Sequence, residues 1–280
     1  MSIHADFEPV ATNYAKLGFH LTDITYHPTG TGNRLIIFGS NFFELIVVTH
    51  REKLAERSRA MVDDFLVHRS GLSGIAMLSR DQKADVAAFE AAGVPVLMTH
   101  AFQRPITLPD GRPGMADVEV VFTKDLETPL VFFFTSRQKR PEAIWQPVWQ
   151  NHPNGAVDIL EVVSVEVPGQ DKLARYQAGI LGADNVTSDG GVTTGRVANG
   201  YALTINTPAV LEARFAWAGL ACEPHPAYAA GLVIKCGNLD FVRKAVAEHA
   251  IPATCRAHDI FIDPAWTGGT FLHLVGDSAP

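Results

Sequence analysis

A chain of 280 residues is long enough for one large domain or two ordinary ones, each able to bury most of its apolar surface. Its 47% hydrophobic and 19% charged composition is that of a soluble globular protein, and its longest apolar runs fall far short of a membrane span. A net charge of −7, from 30 acidic and 23 basic residues, repels a polyanion and argues against nucleic acid as a partner.

In chain order, the opening MSIHADFEP has neither the basic flank nor the apolar core of a secretory signal, so the expected location is the cytoplasm. A helix is predicted in the stretch beginning at Asp6, with Tyr14 inside it. Residues 27–46, HPTGTGNRLIIFGSNFFELI, follow. A phosphate cradle needs its glycines to open a helix, whereas these open into Leu-Ile-Ile-Phe, so the stretch reads as a turn and a hairpin. Alternation on its second strand puts Phe42, Glu44, Ile46 and Val48 on one face. Glu44 is then an acid among apolar neighbours and needs a metal, a cation or a shifted pKa, because an unpaired buried carboxylate is costly. Arg34 is the alternative, purely structural partner.

Residues 51–69 carry apolar side chains at helical spacing and predict an amphipathic linking helix. Residues 74–95, GIAMLSRDQKADVAAFEAAGVP, run from a short strand through a helix to Val-Pro. Residues 231–252, GLVIKCGNLDFVRKAVAEHAIP, repeat that pattern without a gap. Strands are predicted at Val118 to Phe122 and Leu130 to Phe134. Residues 136–156, rich in proline and tryptophan and ending in His-Pro-Asn-Gly-Ala, read as a boundary whose tryptophans clamp the two halves. The cluster Arg137, Lys139 and Arg140 reads as a solvated turn. A second helix holding Tyr176 starts near Pro168, and strands are predicted at Tyr201 to Ile205 and Phe271 to Val275. Cys222, Cys236 and Cys255 lack close spacing and read as buried free thiols.

The internal repeats make the chain about four copies of one β-α-β-β-β unit in two halves, an α+β fold with antiparallel-rich sheets. The expected organisation is an N-terminal half over residues 1–135, a linker over 136–156 and a C-terminal half over 157–280.

The His27 turn with its Phe-Glu-Leu-Ile strand, the RPEAIWQPVWQNHPNGA linker, and the Gly-Val-Pro and Ala-Ile-Pro helix ends together resemble the glyoxalase-like branch of the vicinal oxygen chelate superfamily. That resemblance implies two tandem halves with cupped mixed or antiparallel sheets, each enclosing a pocket, often with a divalent metal. It further implies ligands from the first strand of a unit, typically histidine, and the last strand, typically glutamate. Glu44 falls at the family's glutamate position, and His273 holds the corresponding place in the fourth unit. The first-strand slots are Gly74, Gly231 and Glu161, and the slot of the first unit precedes Met1.

The expected metal set is therefore Glu44, Glu161 and His273 around one divalent ion, with a metal-free protein as the alternative that the two glycines favour. Expected catalytic residues are Glu44, His27 and Asn33. Arg34, Arg104 and His152, in loops or near the cup mouth, are the expected substrate-binding residues. The implied function is metal-assisted lyase, isomerase or dioxygenase-like chemistry on an oxygen-rich or carboxylate small molecule, or metal-free binding of one. A homodimer is an open alternative for the assembly, and neither nucleic acid nor membrane is expected as a partner.

Overall fold

The computed structural model of the protein describes residues 1–197, 200–215 and 223–276. Four β-α-β-β-β units follow one another. The first comprises β1 (Ser2–His4), α1 (Glu8–Lys16), β2 (Thr25–Tyr26), β3 (Thr31–Ile37) and β4 (Phe42–Val48). After α2 (Glu56–His68) and the two-residue β5 (Gly71–Leu72), the second comprises β6 (Gly74–Leu78), α3 (Gln82–Ala91), β7 (Val96–Thr107), β8 (Pro113–Thr123) and β9 (Phe132–Gln138). The third comprises β10 (Ala156–Glu166), α4 (Lys172–Leu181), β11 (Val186–Asp189), β12 (Val192–Arg196) and β13 (Ala202–Asn206). Following α5 (Pro208–Phe215), the fourth comprises β14 (Ala227–Cys236), α6 (Leu239–Glu248), β15 (Ala253–Cys255), β16 (Asp259–Ile262) and β17 (Phe271–Val275).

The C-terminal half forms one eight-stranded sheet in the order β11-β12-β13-β10-β14-β17-β16-β15. The N-terminal half has the same order in two pieces, β2-β3-β4-β1-β5 and β6-β9-β8-β7. The pieces part because β1 spans three residues where β10 spans eleven. They meet at the first residue, where the Met1 α-amino group donates to the Gly74 carbonyl at 2.8 Å and the Gly74 N–H donates to Met1 O at 3.2 Å.

Strand alternation sorts the apolar side chains into two clusters. The helix-side residues of both sheets, such as Phe43, Leu45, Phe133, Leu203 and Leu272, join Tyr14, Phe89, Tyr176 and Val242 of α1, α3, α4 and α6 in one cluster. Cup-side residues, such as Leu35, Val120, Phe132, Val163 and Phe271, pack with the inserted helices α2, through Val62 and Phe65, and α5, through Leu211 and Phe215. The linking segment expected at 51–69 is a short 3-10 turn, Arg51–Lys53, followed by α2, and α5 is a helix that the sequence periodicity does not announce.

Polar groups tie the halves together. Tyr176 of α4 hydrogen-bonds Thr123 Oγ1 at 2.6 Å, accepts from the Phe133 N–H at 3.3 Å, and meets the Phe133 ring edge-on at 4.9 Å. Asn13 Nδ2 of α1 donates to the Trp266 carbonyl at 2.8 Å. Trp145 of the linker packs on Phe42 of the N-terminal half, and the linker's Gln150, His152 and Asn154 bond to the carbonyls of Phe38, Ile37 and Leu17. Cys236 is buried, its thiol pushed up to about 12 by burial, whereas Cys255 is exposed; Cys222 lies outside the described residues. Arg137 and Lys139 pair with Glu119.

Candidate active site

The N-terminal cup encloses a cavity of about 170 Å³. Its wall draws on β3 and β4 at one end of the split sheet and on β7, β8 and β9 at the other, so the sheet must curl around it. Alternation selects the side chains: Asn33 and Leu35 on β3, Phe42 and Glu44 on β4, and Met98, His100, Phe102 and Arg104 on β7. Ser58, Met61 and Val62 of α2 complete the wall.

One pole of this mainly apolar space is polar. Asn33 Nδ2 donates to Glu44 Oε1 at 2.5 Å, while Asn33 Oδ1 accepts from Thr25 Oγ1 at 2.6 Å, so the amide is held from both ends. Burial raises the Glu44 carboxyl above the ordinary carboxylate range, against the pull of the Asn33 hydrogen bond, the Met1 α-amino group and Arg104. Arg104 is only 6% exposed, and its Nε and Nη1 have no hydrogen-bond partner. Burial lowers its pKa, while the field of Glu44 opposes that shift. His27 hydrogen-bonds Thr31 Oγ1 through Nδ1 at 2.7 Å and stands edge-on to Phe102 at 5.6 Å. Burial and the Arg104 charge pull it down to about 3, which leaves a neutral imidazole at the cavity wall at pH 7.

This is the end of the Gly-Thr-Gly-Asn-Arg turn. Gly30, at φ +95°, must be glycine, because a methyl group there would stand 2.3 Å from the His50 carbonyl oxygen. Gly32 is an ordinary β3 residue, and the glycines lead into a strand rather than a helix N-terminus.

Several expected site residues lie elsewhere. Arg34 alternates away from Asn33 and Leu35, pairing with Glu8 at 3.2 Å and donating to the Thr22 carbonyl at 3.1 Å. It is neither the partner of Glu44 nor part of the cavity wall. His152 is buried in the linker: its Nδ1 accepts from the His20 N–H at 2.9 Å and its Nε2 donates to the Ile37 carbonyl at 3.0 Å, so both ring nitrogens serve the backbone.

Glu161 and His273 take their polar partners within the C-terminal half, and Glu161 shares with Glu44 only the border of a second cavity of about 140 Å³. Glu161 accepts from Thr204 Oγ1 and from Arg214 Nη2, the latter at 3.0 Å, and Arg214 also donates to Asn206 Oδ1 at 2.7 Å. His273 faces Asp259 at 3.5 Å. Phe215 of α5 packs on Phe261, Phe271 and His273 with ring centroids 5.8, 5.0 and 5.4 Å away, so the inserted helix fills this cup.

The donor set does not suit a divalent ion at Glu44. Among the described residues no group of three or more His, Cys, Asp and Glu side chains could hold one. The Gly74 slot is occupied by the ring of Phe132, whose Cζ lies 2.6 Å from where a Cβ would be. The unpaired Arg104 guanidinium in the same cavity would also repel a cation.

His100 and Ser136, which also line the cavity, carry no motif. The alternation Met98, His100, Phe102, Arg104 is the signal that could have found His100.

Comparison with known proteins agrees with this architecture. A family model described as a glyoxalase-like domain matches residues 2–180. No curated protein matches the sequence. Among solved structures, a hypothetical protein from Staphylococcus aureus is similar at TM-score 0.66 and 12% identity, covering 98% of this chain and 96% of that one. A mutant of 4-hydroxymandelate synthase from Streptomyces coelicolor is similar at TM-score 0.58 and 11% identity, covering 98% and 91%. A xylose isomerase-like TIM barrel/4-hydroxyphenylpyruvate dioxygenase fusion protein is similar at TM-score 0.57 and 10% identity, over 99% of this chain and 48% of that one. At these identities the likeness concerns the fold. No helix among the described residues is long and apolar enough to cross a membrane.

Proposed function

The chain belongs to the glyoxalase-like domain family, with the vicinal oxygen chelate fold, and from that premise we propose that it is a small-molecule enzyme using Glu44 as its acid–base group. The carrying observation is a carboxyl of raised pKa, held by Asn33 in a mainly apolar cavity. Such a group, its hold on a proton strengthened by burial, suits both removal and return of a proton. Glu44 takes the proton from carbon beside a carbonyl of an oxygen-rich substrate, leaving an enolate, and then returns it, which is the elementary step of isomerases and many lyases. Asn33 fixes one carboxylate oxygen, so that the other faces the substrate. Arg104 supplies the positive field for the charge that develops on the substrate oxygen. Neutral His27 borders the same space and can donate or accept a hydrogen bond there without adding charge.

The test is hydrogen exchange. Small carbonyl compounds with acidic C–H bonds, incubated with the protein in D2O, should incorporate deuterium, and Glu44→Gln should suppress this about a hundredfold or more. Exchange undiminished in the variant sinks the reading. Tight binding without exchange or turnover by the wild type points to the metal-free binding protein instead.

A further inference from the structure

We infer that the ligand of the N-terminal cup is a small monocarboxylate with an apolar body, its carboxylate paired with Arg104 and its tail lying among Met61, Met98, Phe102 and Phe122. This narrows the substrate of the Glu44 reading and rests on that reading for its catalytic meaning. The recognition itself does not depend on Glu44 being a base.

The argument starts from Arg104. A guanidinium keeps its charge in any protein and has five donors in a planar fork, so leaving it buried and unsatisfied is costly. Here the side chain is 94% covered, yet two of its nitrogens bond to nothing. The obvious internal partner makes no bond to it. Glu44 is near enough to act on Arg104 through its field, but no hydrogen bond joins them, and Asn33 holds Glu44 Oε1. The Asn33 amide is itself anchored by Thr25. The fork is thus left for something in the cavity, and two coplanar oxygens are its best match.

Charge limits the ligand further. Among the described residues Arg104 is the only lysine or arginine lining the cavity, burial lowers the nearby Met1 α-amino group to about 6, and His27 is neutral. One cation beside one carboxyl suits a single negative charge, whereas a dianionic phosphate would meet Glu44 with too little compensation. Apart from Ser58, His100, Ser136, Gln138 and two threonines, the remaining wall is thioether, aromatic and aliphatic, which favours a hydrocarbon or aryl body over a sugar. By contrast, Arg214 in the other cup is satisfied by Glu161 and Asn206.

The experiment pairs each acid with its uncharged isostere. Hexanoate and phenylacetate, hexanamide and phenylacetamide, and inorganic phosphate are titrated calorimetrically into the full chain at pH 7. Both carboxylates should bind, the amides about tenfold or more weakly, and phosphate should not displace phenylacetate. Arg104→Met should abolish the preference for acid over amide, Arg104→Lys should keep part of it, and Arg34→Ala should leave it intact. Amides that bind as well as acids, tighter binding of phosphate, or no binding of either carboxylate at millimolar concentration would each overturn the assignment. The wild-type pairs decide it even if an Arg104 variant fails to fold. Glu44→Gln separates the two readings: carboxylate binding that survives in it supports Arg104 as the anchor, whatever its deuterium exchange shows.

Discussion

Gly231 of β14 lies beneath the ring of Phe271 on the parallel neighbour β17, so close that a methyl group on Gly231 would stand 2.3 Å from Phe271 Cδ2. Gly74 and Phe132 repeat the relationship across β6 and β9. In both halves, then, the first-strand slot where the resemblance expects a metal ligand is a glycine because an aromatic ring needs the room. Gly231→Ala should destabilise the fold by about 1–3 kcal/mol, since Phe271 is fully buried and its ring has nowhere to go. A reduced urea midpoint with an unchanged m-value would bear this out, and a wild-type midpoint would refute it.

Glu44 and Asn33 make a prediction about pH. Because burial holds the Glu44 pKa above the ordinary carboxylate value, its action as a base should fall away on acidification at a higher pH than for an exposed glutamate. Asn33 favours the charged form through its hydrogen bond, so Asn33→Ala should raise the pKa further and move the acid limb of the rate profile to higher pH. An acid limb that shifts downward, or not at all, contradicts the assignment.

Tyr176→Phe keeps the edge-on ring contact with Phe133 and removes the hydroxyl bonded to Thr123 and to the Phe133 N–H. The stranded buried groups should cost about 1–3 kcal/mol. Chemical denaturation followed separately by probes in the two halves would measure it, and the loss should appear in both.

His152 links stability to pH. Buried and bonded to backbone at both nitrogens, it titrates at about 4 in the folded protein against 6.5 as a free side chain. A lowered folded pKa means that the unfolded chain binds more protons between those values. Its contribution is therefore full above about pH 6.5 and is lost as pH falls toward 4. His152→Asn should be less stable at pH 7 and show a shallower decline between pH 7 and 5. Equal slopes for variant and wild type would contradict this.

Much of the fold is legible in the sequence because repeats and alternation are local properties. The strands Phe42 to Val48 and Phe271 to Val275 stand where the periodicity sets them. Tyr14 and Tyr176 are buried in equivalent helices. The site is less legible, since it depends on which strands curl toward each other. Alternation alone brings out Glu44, but nothing local says that its partner is Asn33 two strand positions from the turn, or that Arg34 next door faces the other way. His152 was conspicuous in sequence for the same reason that it is absent from the cavity: the Pro-Asn-Gly turn that frames it is a structural joint. Cys255 shows the limit of composition, being an exposed thiol where burial is the usual state. The unpaired state of Arg104 is a three-dimensional fact, visible only when every neighbour of β7 is in place.

The filled C-terminal cup bears on how the protein should respond to titration. Duplication of a pocket-forming unit would ordinarily suggest two binding sites, but the buried Phe215 ring of α5 already lies on Phe261, Phe271 and His273 inside the second cup. Saturation should therefore require one equivalent of ligand per chain and follow a simple hyperbola, with half of the duplicated architecture serving as permanent ballast for the half that binds.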